Sequence, residues 1–338
     1  MESLLSPEDA RELKEALSRM GLIATGERVA LTPLTGGVSS QIVRASTPRG
    51  SLCIKRALPK LKVAADWHAP VERNEAEVAW LKLAGSLIPG RVPQVLGEDG
   101  VSRAFAMSYL DAARYAVWKD QLRDGVTLAS TARALGEHLA AIHRGTARSA
   151  VLAAEFANDA SFRTLRLEPY FVAAAQANAE CAAALHHLID TTARTRLALV
   201  HGDVSPKNIL VGAEGLVILD AECACYGDPA FDLAFCLTHL LLKCVWAPAA
   251  TEGFLACFDA MKAAYLAGVD WEPRPGLEAR AAALLPALML ARIDGKSPVE
   301  YITLASQRQR VRGFARAWLL QAPVSLDTIR NAWSKEPA

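Results

Sequence analysis

The chain lacks an excess of charge of either sign. Its 338 residues carry 37 Lys and Arg against 36 Asp and Glu, a formal +1. That balance excludes a general electrostatic pull on nucleic acid or an anionic membrane, so neither is an expected partner. No positive leader followed by an apolar core opens the sequence, and no apolar run reads as long enough to span a bilayer. The Ala- and Leu-rich stretch 281–291 stops at Arg292 and reads as a buried helix. None of the seven cysteines (Cys53, Cys181, Cys223, Cys225, Cys236, Cys244 and Cys257) belongs to a C-x-x-C pair. This argues against a zinc site or disulfide frame and predicts reduced thiols in a cytoplasm. Repeats and low-complexity tracts are missing too. What remains is an ordinary globular balance, 52% hydrophobic and 22% charged, long enough for two lobes.

What is present is concentrated in one segment, His201-Gly202-Asp203-Val204-Ser205-Pro206-Lys207-Asn208, followed by Val217-Ile218-Leu219-Asp220-Ala221-Glu222. The order H-x-D-x-x-x-x-N, then a strand ending in Asp, is that of a kinase catalytic loop, with Gly202 where protein kinases carry Arg. Phosphoryl transfer needs a carboxylate to orient and deprotonate an acceptor hydroxyl, the role expected of Asp203. It also needs oxygen ligands for Mg²⁺, expected of Asn208, Asp220 and Glu222. Leu197–Val200 reads as a buried strand delivering the loop, and Ile209–Val211 and Leu216–Leu219 as strands of a hairpin turning at Gly212 and Gly215. If extended backbone persists, Asp220 and Glu222 share a side.

This segment resembles the aminoglycoside phosphotransferase and choline kinase family, whose signature runs H-G-D-x-x-x-x-N and then a strand and Asp. Tyr226-Gly227-Asp228-Pro229-Ala230-Phe231-Asp232-Leu233-Ala234 is similar to the family's G-D-P-x-x-D-L-A. The Asp-x-Glu pair resembles the methylthioribose kinase branch. Ser205 and Lys207 depart from the family's frequent His and Gly. The resemblance implies an ATP- and Mg²⁺-dependent phosphotransferase acting on a small-molecule hydroxyl.

A kinase needs a nucleotide lobe upstream. Gly36, Gly37, Ser39 and Ser40 sit in a hairpin turn whose amides and hydroxyls would cradle phosphates, although the pattern is not G-x-G-x-x-G. Lys55 ends the next strand at the position of the phosphate-binding lysine. The helix beginning near Val71 offers Glu75 and Glu77 as partners for Lys55, and the resemblance favours Glu75. Ala104–Leu110 reads as a strand entering a hinge, with adenine met by backbone near Ser108 and Leu110 and by Met107 and Tyr109. At the N-terminus, Ser6-Pro7-Glu8-Asp9 caps a helix. Helical spacing returns over 127–144, where His143 reads as a packed residue, and continues from Phe231 onward.

The reading is therefore an α+β, bilobal, protein-kinase-like fold, with residues 1–109 as a small sheet lobe and 110–338 as a larger, mostly helical lobe. Candidate acceptor contacts are Trp246, placed on a loop, and the charged turn bearing Arg292, Asp294 and Lys296, where Arg292 and Asp294 would equally suit an ion pair. Acids and bases nearly balance beyond Phe231, which disfavours a polycationic aminoglycoside and favours a sugar, polyol or amino alcohol. An aminoglycoside 3'-type enzyme and a non-catalytic nucleotide-binding protein of the same fold are the alternatives. No A-P-E segment follows Asp220, which argues against a protein substrate. The sequence leaves a homodimer open.

Overall fold

The computed structural model describes residues 5–34, 39–60 and 70–336. They form two compact units that divide between Arg114 and Tyr115.

The first unit opens with helix α1 (Pro7–Arg19). Ser6 starts it by accepting the Asp9 amide, and Glu8 and Asp9 face the positive helix end. Strands β1 (Ala30–Pro33), β2 (Ser40–Thr47) and β3 (Gly50–Ala57) precede helix α2 (Arg73–Leu87), then β4 (Val95–Asp99) and β5 (Ala104–Ser108). The strands make one antiparallel sheet in the order β1-β2-β3-β5-β4. Leu13, Ala16 and Leu17 of α1 join Val43, Ala45, Ile54 and Ala106 of the sheet in a core. Lys55 lies on the central strand, opposite Ile42 on one side and Phe105 on the other. Its backbone is held by neighbours on both edges.

The second unit begins with β6 (Tyr115–Val117), α3 (Trp118–Arg123), α4 (Ala129–Thr146), α5 (Ala150–Glu155) and α6 (Asp159–Phe162). A π-helical stretch, Arg163–Val172, runs into α7 (Ala173–Ala177) and is followed by α8 (Ala182–Arg194). Strand β7 (Ala198–Val200) leads to the segment 201–208. Then come β8 (Ile209–Gly212), β9 (Gly215–Ile218) and β10 (Cys225–Gly227). Helices α9 (Pro229–Trp246), α10 (Thr251–Ala267), α11 (Arg274–Asp294), α12 (Ala305–Gln321) and α13 (Leu326–Trp333) complete it. Strands β6, β8 and β9 form one small sheet and β7 with β10 another, so the loop 201–208 leaves one sheet and enters the other.

Helix α9 is the hub, packed against α10 and α11. By length and composition it would pass for a membrane span, which corrects the expectation that no run is long enough. Yet 94% of it is buried within protein, so core burial accounts for its apolarity. Helices α4 and α10 approach so closely that a Cβ at Gly136 would stand 2.5 Å from the Met261 carbonyl. All seven cysteines are free thiols and buried.

Candidate active site

The loop after β7 is held from beneath by α9. Asp232 accepts the His201 amide at Oδ2 (2.7 Å) and the Gly202 amide at Oδ1 (2.8 Å). Its Oδ2 also lies 3.2 Å from His143 Nε2, whose other ring nitrogen meets Tyr265. Burial opposes ionisation of Asp232, but His143 and His201 together outweigh it and hold the carboxyl below its ordinary pKa. Asp228 caps α9 through the Ala230 amide and is gripped by Arg280 at 2.9 and 3.0 Å. Asp232 is thus a clamp on the 201–208 loop, and Asp228 fixes the start of the helix that carries it.

Gly202 explains itself. Its φ is +77°, and a Cβ there would meet the Cys223 carbonyl at 2.8 Å, so the loop turns tightly only with glycine. His201 Nδ1 accepts the Asp203 amide and Nε2 faces the Leu219 carbonyl. The ring is a neutral strut tying Asp203 to the following hairpin, and burial lowers its pKa.

Asp203 is buried, and three nitrogens converge on its Oδ2: Asn208 Nδ2 at 2.9 Å, Arg166 Nη2 at 3.1 Å and Lys207 Nζ at 3.1 Å. Burial would raise its pKa, but Arg166 and Lys207 together hold it below the usual carboxylate value. The group is therefore ionised at neutral pH. Arg166 is the residue that the sequence reading missed. It lies on the π-helical stretch, where Pro169 removes a backbone donor from the helical ladder. Its Nε also donates to the Gly202 carbonyl at 2.5 Å. The only sequence signal was one cation set in the apolar run Leu165–Leu167.

Asn208 spends its amide nitrogen on Asp203, so its oxygen is the atom left to coordinate. Strand β9 ends at Ile218 and Asp220 adopts φ +69°. The extended alternation expected to align Asp220 with Glu222 therefore breaks at Asp220 itself. A carboxylate residue in this left-handed region is uncommon and marks a constrained turn. Glu222 is buried. Among the described residues no three His, Cys, Asp or Glu gather into a metal cluster. Asn208, Asp220 and Glu222 nevertheless offer oxygen alone, the chemistry of Mg²⁺, which commonly takes one or two carboxylates and fills its shell with water and phosphate.

In the first unit Lys55 Nζ lies 2.6 Å from Glu77 Oε2 and donates to Oε1 at 2.8 Å. Glu77, not Glu75, is the partner. On α2 it shares the buried face of Arg73, Trp80, Leu81 and Ala84, whereas Glu75 points to solvent. Arg73 fastens α2 to the start of the sheet by donating to the carbonyls of Ser39 (2.5 Å) and Leu58 (2.6 Å). Ser39 and Ser40 are both buried, and Ser40 Oγ meets no partner among the described residues. Gly36 and Gly37 lie outside the described residues. The Ser108 amide donates to the Gln94 carbonyl at 2.9 Å. Met107, Tyr109 and Leu110 are partly exposed, and Tyr109 carries Arg44 over its ring.

The acceptor candidates separate. Trp246 is the last residue of α9, not a loop residue, and stacks on Tyr301 at 4.5 Å. Arg292 and Asp294 do not pair. Arg292 donates to Ser297 and Tyr170, while Asp294 holds Arg312 at 2.7 Å. They follow one another by two residues on α11, which turns them to different sides of the helix. Lys296 is exposed. Arg292 alone of these four lines a pocket beside the catalytic loop.

Known proteins share the sequence and the fold of this chain. The chain is 26% identical to methylthioribose kinase of Erwinia tasmaniensis, over 58% of this chain and 55% of that protein. It therefore spans about half the length of the curated relatives it matches. Among solved structures, the ethanolamine kinase of Plasmodium vivax superposes with a TM-score of 0.58 at 11% identity, covering 98% of this chain and 97% of the other. A choline/ethanolamine kinase family protein of Mesorhizobium loti gives 0.50 at 18% identity, covering 96% and 99%. These likenesses establish the kinase-like fold. Residues 30–277, which run from the sheet of the first unit into α11 and include both Lys55 and the Asp203 loop, match the phosphotransferase enzyme family, and the chain belongs to that family.

Proposed function

We propose that the protein transfers the γ-phosphoryl group of ATP to a hydroxyl of a small molecule, a sugar or polyol before any other. The convergence of Arg166, Lys207 and Asn208 on the one carboxylate of Asp203 carries this reading. Asp203 accepts a hydrogen bond from the acceptor hydroxyl and orients its oxygen. The O–Pγ bond forms as the bond from Pγ to the β-phosphate oxygen breaks, and the proton passes late to Asp203. ADP and the phosphorylated acceptor leave.

A carboxylate held below its ordinary pKa is a weak base. It suits a loose transition state, in which positioning and charge compensation do more than proton abstraction. Lys55, fixed by Glu77, compensates phosphate charge. Asn208, Asp220 and Glu222 would hold Mg²⁺, which neutralises charge on the phosphates when bound. The methylthioribose kinases among the relatives favour a sugar hydroxyl, and the cations around Asp203 disfavour a polycationic aminoglycoside.

The test is Mg²⁺-dependent ATP consumption over a panel of pentoses including methylthioribose, polyols, choline, ethanolamine and aminoglycosides. Asp203→Asn serves as the comparison. Turnover should fall by about 10²- to 10⁴-fold in that variant with its fold intact. Undiminished turnover by Asp203→Asn would sink the assignment.

A further inference from the structure

Next to the Asp203 loop, a small pocket of about 30 Å³, partly open to solvent, is lined by Ser205 and Lys207 of the loop, Lys243 of α9, Arg292 of α11, and Lys119 with Glu300. Its charges do not cancel. Lys119 pairs with Glu300, and Lys207 with Asp203. Lys243 and Arg292 have no carboxylate within ion-pair distance among the described residues; Arg292 meets only the neutral oxygens of Tyr170 and Ser297.

Three of the lining residues each carry a buried polar atom without a hydrogen-bond partner among the described residues: Lys243 Nζ, Arg292 Nε and Ser205 Oγ. Lys243 and Ser205 are each 1% exposed. Unsatisfied buried donors of this kind are rare, and three bordering one pocket share an explanation. What they lack is an acceptor, and two carry charge, so the acceptor they lack is an anion.

We propose that this pocket binds an anionic substituent of the substrate, a carboxylate or phosphate monoester carried by the same molecule whose hydroxyl is phosphorylated, with Lys243 as its principal contact. The inference rests on the phosphotransfer reading for the word substrate, but not for the anion site. Two further observations support it. Lys243 Nζ sits 4.4 Å from the Trp246 ring centre and 4.7 Å from that of Tyr301. The two rings that would otherwise suit a cationic ligand are thus occupied by the chain's own ammonium. Burial, with repulsion from Lys119, also pushes Lys243 down to about 7, and His239 beside it is depressed by burial and by Arg292 and Lys243. An arriving anion relieves that field. Lys207 ties the pocket to the proposed chemistry, since it is among the lining residues and its ammonium lies 3.1 Å from Asp203.

The test uses the full chain without nucleotide. Calorimetric titration with inorganic phosphate, and separately with glycerate, compares wild type with Lys243→Met and Lys243→Arg. At least one anion should bind, weaken about 10- to 100-fold in Lys243→Met, and recover in part in Lys243→Arg, while ADP affinity stays unchanged. Which anion binds separates phosphate from carboxylate recognition. Matched acceptors, ribose against ribose 5-phosphate and glycerol against glycerate, then supply the kinetic arm. The anionic member should be preferred in kcat/KM, and the preference should vanish in Lys243→Met. Failure of both anions to bind, or equal binding by Lys243→Met, overturns the site and leaves phosphotransfer to neutral acceptors standing. Anion binding lost in Lys243→Met, with no Mg²⁺-dependent turnover of any acceptor, upholds the site and removes the phosphotransfer reading.

Discussion

Lys55 and Lys243 are buried almost equally, at 2% and 1% exposure, yet their surroundings are opposite. Lys55 lies against the carboxylate of Glu77. Lys243 lies over two aromatic rings with no carboxylate at ion-pair distance among the described residues. A compensated ammonium can be held rigidly before any ligand arrives. An uncompensated one is a polar deficit that protein stability tolerates and a ligand relieves. The first arrangement suits a fixed part of the machinery and the second a recognition element.

The comparison breaks most visibly at Glu77. Glu77→Gln removes the carboxylate that lies against the buried Lys55 ammonium and should cost up to about 3–5 kcal/mol in denaturant unfolding. A loss below about 1 kcal/mol would show that Lys55 does not depend on its partner. Lys243→Met should move stability the other way, by up to a few kcal/mol near pH 6. The sign follows from the depressed pKa. Between pH 7 and the ordinary lysine value the unfolded chain holds the extra proton, so wild-type stability climbs with pH through that window. The advantage of the variant is therefore full below pH 7 and fades toward pH 10, which melts at four pH values would resolve. A flat difference across that range would mean that Lys243 is not depressed. Replacing Lys55 and Glu77 together by Met sharpens the contrast. Stability should return to within about 2 kcal/mol of wild type, because an apolar pair replaces a buried ionic one. ATP consumption should not return. Glu75→Gln is the smallest change, within about 0.5 kcal/mol, because that side chain is exposed.

Legibility in the sequence followed contiguity. Asp203 and Asn208 stand in one loop and were read from their spacing, as was the strand that carries Lys55. The kinase-like fold followed from the same segments. Arg166 was not legible, because a π-helical stretch many residues upstream brings it to Asp203, and no period encodes that distortion. Glu77 was legible in principle, since Arg73, Glu77, Trp80 and Ala84 recur at helical spacing, whereas the motif resemblance points to Glu75. Asp220 and Glu222 were aligned by assuming a strand that the turn at Asp220 ends. Lys243 was hidden inside an apolar helix, where one lysine reads as incidental until the packing of α9 against α11 is known.

Helix α9 also sets a length. Asp232, which grips the catalytic loop, and Lys243 lie about three full turns apart and so on one side of the helix, roughly 16 Å along its axis at 1.5 Å per residue. The same rod fixes the loop at one end and carries the buried ammonium toward the other, so it acts as a ruler. Inserting one residue between them would swing Lys243 by about 100° around the axis while leaving the loop clamped. Because α9 is packed on nearly every side, it cannot rotate to compensate, and if the pocket takes the substrate's anion as proposed, the helix sets the substrate length without touching either reacting atom.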